Sequence, residues 1–236
     1  MISFYSVFLF ICLLLLNGCS STGYLVDKAE YPMTNRLIGH MNKNKTNRYY
    51  PCLIRIFKKE NVLEIWKYTT DKKYALFKSY KICAWSGLLG PKVEIGDMQS
   101  PEGFYQIKLD SLNPNSKYYL SINVGFPNEF DAANDRTGTD IMIHGGCSSS
   151  GCYAMNDRQM QEIYIIVRDA LRGNIKPYVQ LQSFPFRMTR DNMERYREHP
   201  SYPFWQVLKI GYDYFEITNK EPIIQVVNKQ YVFFKE

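Results

Sequence analysis

Midway along the chain the hydrophobic period changes, and this change limits the folds open to it. Leu53 to Phe57, the run Val62-Leu63-Glu64-Ile65-Trp66, Tyr74 to Ile82, Phe104 to Leu109 and Tyr118 to Val124 carry β-branched and aromatic residues with charges interleaved. Half-buried strands read this way. From Asn156 onward, Met160, Ile163, Tyr164, Val167, Ala170 and Leu171 recur at three-to-four spacing, which predicts an amphipathic helix capped by Asn156-Asp157 and ended by Gly173. Val179 to Phe184 returns to strand character. Thr189 to Arg197 is a charged segment of helical type, and Phe204 to Glu236 is rich in aromatics suited to packing across the domain. The expected fold class is therefore α+β and β-rich, with one or two helices packed on the sheets.

The chain has 236 residues, enough for one generous domain or two small ones. Its mean hydropathy of −0.33 excludes a polytopic membrane protein, because only one stretch lacks charge for long. That stretch is the start. Met1 to Cys19 holds no charged side chain, and Val7 to Leu16 is continuously apolar; this is shorter than a spanning helix needs, so a cleaved export signal is expected over residues 1–18. Residues 19–47 are expected to form a polar tether. In an exported chain the formal net charge of +6 has no nucleic acid to meet, which leaves anionic lipid, cell-wall polymer or simple solubility as its use.

Cys12 lies in the leader. Cys52, Cys83, Cys147 and Cys152 remain beyond Cys19, and in an oxidising compartment they could form disulfides. Cys52 and Cys83 sit in apolar stretches where a buried thiol is the expectation, whereas Cys147 and Cys152 lie in a Gly/Ser loop.

That loop carries the chemistry. Ile141-Met142-Ile143-His144 is a short apolar strand, Gly145 to Gly151 a Gly/Ser turn, and Cys152 stands before the helix. A thiol with an ordinary pKa of about 8.5 is mostly protonated at neutral pH, and an imidazole within reach can take its proton. Main-chain N–H groups of Gly151, Cys152 and Tyr153, with the helix start, could hold a tetrahedral oxyanion. Gly151 leaves the backbone open to a substrate carbonyl. Three other readings stay open: zinc on His144, Cys147 and Cys152; a Cys147–Cys152 disulfide; and a structural core histidine.

The segment His144-Gly145-Gly146-Cys147, with Ser149 and Gly151-Cys152-Tyr153-Ala154-Met155, resembles the catalytic motif of the L,D-transpeptidase (YkuD-like) family, and within it a YafK-type branch. Ile82 to Gly87, Leu89-Gly90-Pro91-Lys92, Gly96-Asp97, Pro101 to Tyr105, Asn113 to Ser116, Phe184 to Met188 and Gly211 to Phe215 also resemble that branch. The resemblance implies a β-sandwich or barrel catalytic domain over 48–188 and a helical, aromatic C-terminal extension over 189–236. It implies Cys152 as nucleophile, His144 as its base and the Gly145 carbonyl as the group orienting His144. Cys147 is then a loop cysteine, and Ser150 stands where a histidine is common in the wider family. The implied reaction is acyl transfer on peptidoglycan stem peptides through a Cys152 thioester. Either water hydrolyses a murein–lipoprotein or related meso-diaminopimelate link, or an amine forms an L,D crosslink. No cofactor is implied. Leu16-Asn17-Gly18-Cys19 resembles a bacterial lipoprotein processing site, which implies a membrane anchor on Cys19 and, with Ser20 following, an outer-membrane protein facing the periplasm. A catalytically silent peptidoglycan-binding lipoprotein is the alternative.

Overall fold

The structure, a computed structural model, describes residues 27–234. The apolar leader, Cys12 and Cys19 lie outside the described residues. In chain order the elements are α1 (Asn35–Lys43), β1 (Cys52–Phe57), β2 (Val62–Tyr68), β3 (Tyr74–Lys81), β4 (Gly103–Ile107), β5 (Leu112–Asn113), β6 (Ser121–Asn123), α2 (Glu129–Ala133), β7 (Met142–His144), β8 (Tyr153–Ala154), α3 (Asp157–Arg172), β9 (Val179–Phe184), α4 (Arg190–Arg195), α5 (Tyr202–Thr218), β10 (Ile223–Val227) and β11 (Gln230–Phe234).

A five-stranded sheet has the order β3-β2-β1-β9-β4 and a four-stranded one the order β5-β6-β7-β8. In the larger sheet β1 and β9 run parallel and the other neighbours are antiparallel. Both central strands are buried at every position. Cys52, Ile54, Ile56, Val179 and Leu181 share one core with α3 and the smaller sheet. Phe57 and Phe184, on the opposite face, meet Trp205, Leu208 and Tyr212 of α5. The C-terminal extension is therefore the second cover of the sheet, which is why β1 and β9 do not alternate polar with apolar.

The expectation of a polar tether up to residue 47 is corrected. Met33, Leu37 and Met41 are buried in the main core, and full burial of such side chains is worth roughly 1.5–3 kcal/mol each. Helix α1 is capped by Thr34, whose hydroxyl accepts the Leu37 N–H. The segment covers the outer side of α3. Gln161 donates to the Lys28 carbonyl at 2.7 Å, Arg172 pairs with Glu30 at 2.7 Å, and the buried Arg168 reaches the carbonyls of Ala29 and Tyr31. This second cover explains why Ile165, Arg168 and Asp169, off the predicted apolar stripe, are buried too.

Lys58 is buried without exposed side-chain surface, although it follows β1 directly. Its Nζ donates to the carbonyls of Leu88 (2.8 Å), Gly90 (3.0 Å) and Ser100 (3.0 Å) and to Glu102 Oε1 (2.9 Å). Glu102 also accepts from the Gly90 N–H and from Trp205 Nε1. One buried ion pair thus gathers the long loop between β3 and β4, satisfying carbonyls that would otherwise be orphaned away from water.

Candidate active site

β7 and β8 are adjacent, parallel strands, with Ile143 opposite Tyr153 and His144 opposite Ala154. The chain returns between them through Gly145 to Cys152, a shorter path than the dozen or more residues usual for a parallel crossover. Positive φ at Gly146 (83°), Cys147 (49°) and Gly151 (123°) makes so tight a return possible. At Gly151 the backbone itself demands glycine, since a Cβ there would meet only Ile141 Cδ1 at 3.4 Å and Gln99 O at 3.8 Å.

The register decides which side chains meet. Ile143 and Tyr153 point into the core, both wholly buried. His144 ends β7 and Cys152 immediately precedes Tyr153, the first residue of β8, so the two stand at neighbouring positions of the paired strands. Cys152 is half-buried and free. Its sulfur accepts the Met142 N–H at 3.3 Å and faces the Asp140 carbonyl at 3.7 Å. Burial pushes the thiol above its ordinary value; the Met142 N–H opposes the rise and Asp140 adds to it. The thiol in this arrangement is protonated at neutral pH, and a thiolate there requires a base.

His144 is buried beside the Tyr118 ring, with centroids 4.7 Å apart. Its Nδ1 lies 2.5 Å from the Gly145 carbonyl oxygen. A carbonyl only accepts, so Nδ1 carries the hydrogen and Nε2 is left with the lone pair a base needs.

Of the three expected oxyanion donors, two are committed. The Gly151 N–H bonds to Ser149 Oγ at 3.3 Å. Ala154 bonds outward to Ala84, so the pleat turns the Tyr153 N–H toward β7. The Cys152 N–H donates to no described residue. Its carbonyl is held by Ser149 Oγ at 2.7 Å and Ser100 Oγ at 3.1 Å. The expected donors at the helix start serve their own cap instead, Gln159 N–H bonding Asn156 Oδ1 at 2.9 Å.

Cys147 is bonded to Cys83, across 64 residues of sequence. This corrects the expectation of a buried thiol at Cys83, whose position is exposed, while Cys52 is buried and free as expected. It also closes two alternatives: Cys147 is neither bridged to Cys152 nor available as a zinc ligand. Ala84 pairs with Ala154 beside β8, which brings Cys83 to the loop. Sequence reasoning missed Tyr118, Ser100, Asp157 and the Lys58–Glu102 pair as neighbours of the site. Only Asp157 carried a signal, as a capping residue.

β7, the tight return and β8 thus bring a free thiol and an imidazole whose Nδ1 faces a carbonyl to neighbouring positions. Residues 53–175 match the model of the L,D-transpeptidase catalytic domain (YkuD), and the chain belongs to that family of peptidoglycan enzymes. It is 48% identical over 185 residues to the Escherichia coli K12 protein described as "Putative L,D-transpeptidase YafK", covering 78% of this chain and 74% of that one. A crystal structure of the helical cell shape determining protein Pgp2 from Campylobacter jejuni is 17% identical with a TM-score of 0.47, covering 81% of this chain and 80% of that one. The structure of Bdellovibrio bacteriovorus Bd1075 is 18% identical with a TM-score of 0.42, covering 67% and 57%.

Proposed function

We propose that the protein is a cysteine acyl-transfer enzyme acting on peptidoglycan stem peptides, with Cys152 as nucleophile and His144 as general base. The observation that supports this reading is the β7–β8 pairing, which brings His144 and Cys152, the residue before β8, to neighbouring positions, with the Gly145 carbonyl at Nδ1 leaving the Nε2 lone pair free. His144 Nε2 takes the Cys152 proton as the sulfur turns from the Asp140 carbonyl toward the substrate. The thiolate adds to the acyl carbonyl of the meso-diaminopimelate L-centre, and the Cys152 N–H is the donor open to the oxyanion. Collapse expels the amine, which receives the proton from His144, and leaves a thioester. Water or a second amine then resolves it, His144 again serving as base.

Likeness to the YafK-type branch favours water as acceptor, and hence hydrolysis of a murein–lipoprotein link, over net crosslinking. In this reading the chain is exported and held at the outer membrane by acylated Cys19, facing the periplasm, with no cofactor.

The test is incubation of purified mature protein with tetrapeptide muropeptides and with lipoprotein-linked murein, followed by mass spectrometry. Released lipoprotein supports hydrolysis; loss of D-alanine with new crosslinks supports transpeptidation. No product, together with no covalent carbapenem adduct on Cys152, would leave a silent peptidoglycan-binding lipoprotein. Cys152→Ala abolishes product with the fold intact. Cys19→Ser moves the protein out of the membrane fraction, and unchanged partitioning refutes the anchor.

A further inference from the structure

The base of the proposed site is coupled to a carboxylate that does not touch it. The Gly145 carbonyl faces His144 Nδ1 at 2.5 Å, and the Gly146 N–H donates to Asp157 Oδ1 at 2.9 Å. These two groups belong to one peptide unit. In a trans peptide the C=O and N–H point in opposite directions, so the unit lies between imidazole and carboxylate with a hydrogen bond at each end. A second observation fixes the arrangement: a Cβ on Gly145 would lie 2.5 Å from Asp157 Oδ1, 2.8 Å from Tyr118 O and 3.0 Å from Tyr119 Cβ. Asp157 is thus packed onto the turn, which has no room for a side chain.

We infer that Asp157 is a positioning residue for His144, acting through the Gly145–Gly146 peptide; this rests on the reading of His144 as base to Cys152. A carboxylate at the N–H end polarises the amide and strengthens its oxygen as an acceptor, in the sense that chained hydrogen bonds reinforce one another. When the Cys152 proton moves to Nε2, the positive charge on the ring is met at Nδ1–H by that oxygen. The arrangement does what a directly bonded carboxylate does in other triads, with a peptide interposed. The charged and titratable groups around the ring are few. Tyr118 lies against it, and Cys152 immediately precedes the strand that pairs with its own. Asp140 lies beside the sulfur, Tyr119 contacts the turn, and Asp157 acts from α3, with exposed Arg158 next to it in sequence. Asp157 is itself exposed, so added salt weakens the effect.

The decisive variant is Asp157→Asn, which keeps an oxygen for the Gly146 N–H and removes the charge. Asp157→Ser, a second neutral residue that helix starts accept, guards against a variant that does not fold. The primary readout is the pH midpoint of the His144 imidazole, followed by NMR. Loss of the charge destabilises the imidazolium, so its acid dissociation constant rises by roughly threefold and the midpoint falls. The iodoacetamide alkylation rate of Cys152 at neutral pH falls by a similar factor, and on murein substrates kcat falls with KM unchanged. If Asp157 merely favours the start of α3, the melting temperature falls slightly while the His144 midpoint stays in place. That result overturns the inference. A shifted midpoint in a protein that turns over no murein substrate would sustain the coupling and remove the acyl-transfer reading instead.

Discussion

Replacing Lys58 with methionine removes the cation around which the β3–β4 loop is built. Methionine fills much of the same space, so the loss is mainly electrostatic. Three carbonyls, of Leu88, Gly90 and Ser100, lose a donor, and the Glu102 carboxylate is left wholly buried with only the Gly90 N–H and the Trp205 indole N–H as partners. Breaking a buried ion pair from one side costs about 3–5 kcal/mol, because the remaining charge is uncompensated. For a domain of this length each kcal/mol shifts the melting temperature by about 2–4 °C, so a fall of about 10 °C is expected by calorimetry. The double variant Lys58→Met/Glu102→Gln removes the stranded charge and should recover at least about a third of that loss. Recovery is incomplete because a neutral amide is a weaker acceptor for Gly90 and Trp205. If Lys58→Met melts within 2 °C of the parent, or the double variant melts no higher than the single one, the pair does not organise this loop.

The disulfide, Lys67 and Gly211 give independent tests. Cys147→Ser opens a loop of 64 residues, and chain-entropy loss on that scale is worth about 4 kcal/mol; Cys83→Ser should lower denaturant stability equally, and unequal losses would mean the bridge is not the cause. Burial lowers the Lys67 ammonium to about 8 from 10.5, partly opposed by Cys52, so the unfolded chain holds more protons between those values and stability rises with pH there. Cys52, pushed up to about 11 from 9.0 by burial, acts in the opposite sense between those two values. Urea melts should therefore show a gain of about 1 kcal/mol from pH 8 to 9, absent in Lys67→Met. Gly211→Ala places a Cβ 2.6 Å from both Phe104 Cζ and Phe233 Cε1, and overpacking there should cost about 1–3 kcal/mol; an unchanged melting temperature would contradict the seating of α5.

The parts of the fold legible from sequence are those with one buried face. β3 buries Tyr74, Phe77 and Tyr80 between half-buried and exposed neighbours, and α3 carries its stripe from Met160 to Leu171, whereas β2 buries Glu64 and Lys67 along with Leu63 and Ile65. Helix α5 was hidden because apolar residues lie all round it, with Ile210 and Ile217 exposed at 54% and 81%, so no period stands out. The β10–β11 hairpin turns on Asn228-Lys229, both at positive φ (50° and 62°), as its two-residue turn requires; lysine gives no warning of this. Helix α1 buries only Leu37 and Met41, too few to read. At the candidate site the motif singles out His144, Gly145 and Cys152 because they lie within nine residues of one another. Ser100, Lys58 and Glu102 are brought near by tertiary structure alone, and the Cys83–Cys147 pairing depends on Ala84 lying beside Ala154.

Docking of residues 28–43 onto α3 sets a geometric limit. If Cys19 is the point of lipid attachment, only eight links separate it from Asp27, a leash of at most about 29 Å when drawn straight. A free segment as far as Asn47 would have allowed about 100 Å. With such an anchor the shorter leash would keep the start of the domain close to the bilayer, and wall polymer farther out would be reached only as far as the domain itself extends.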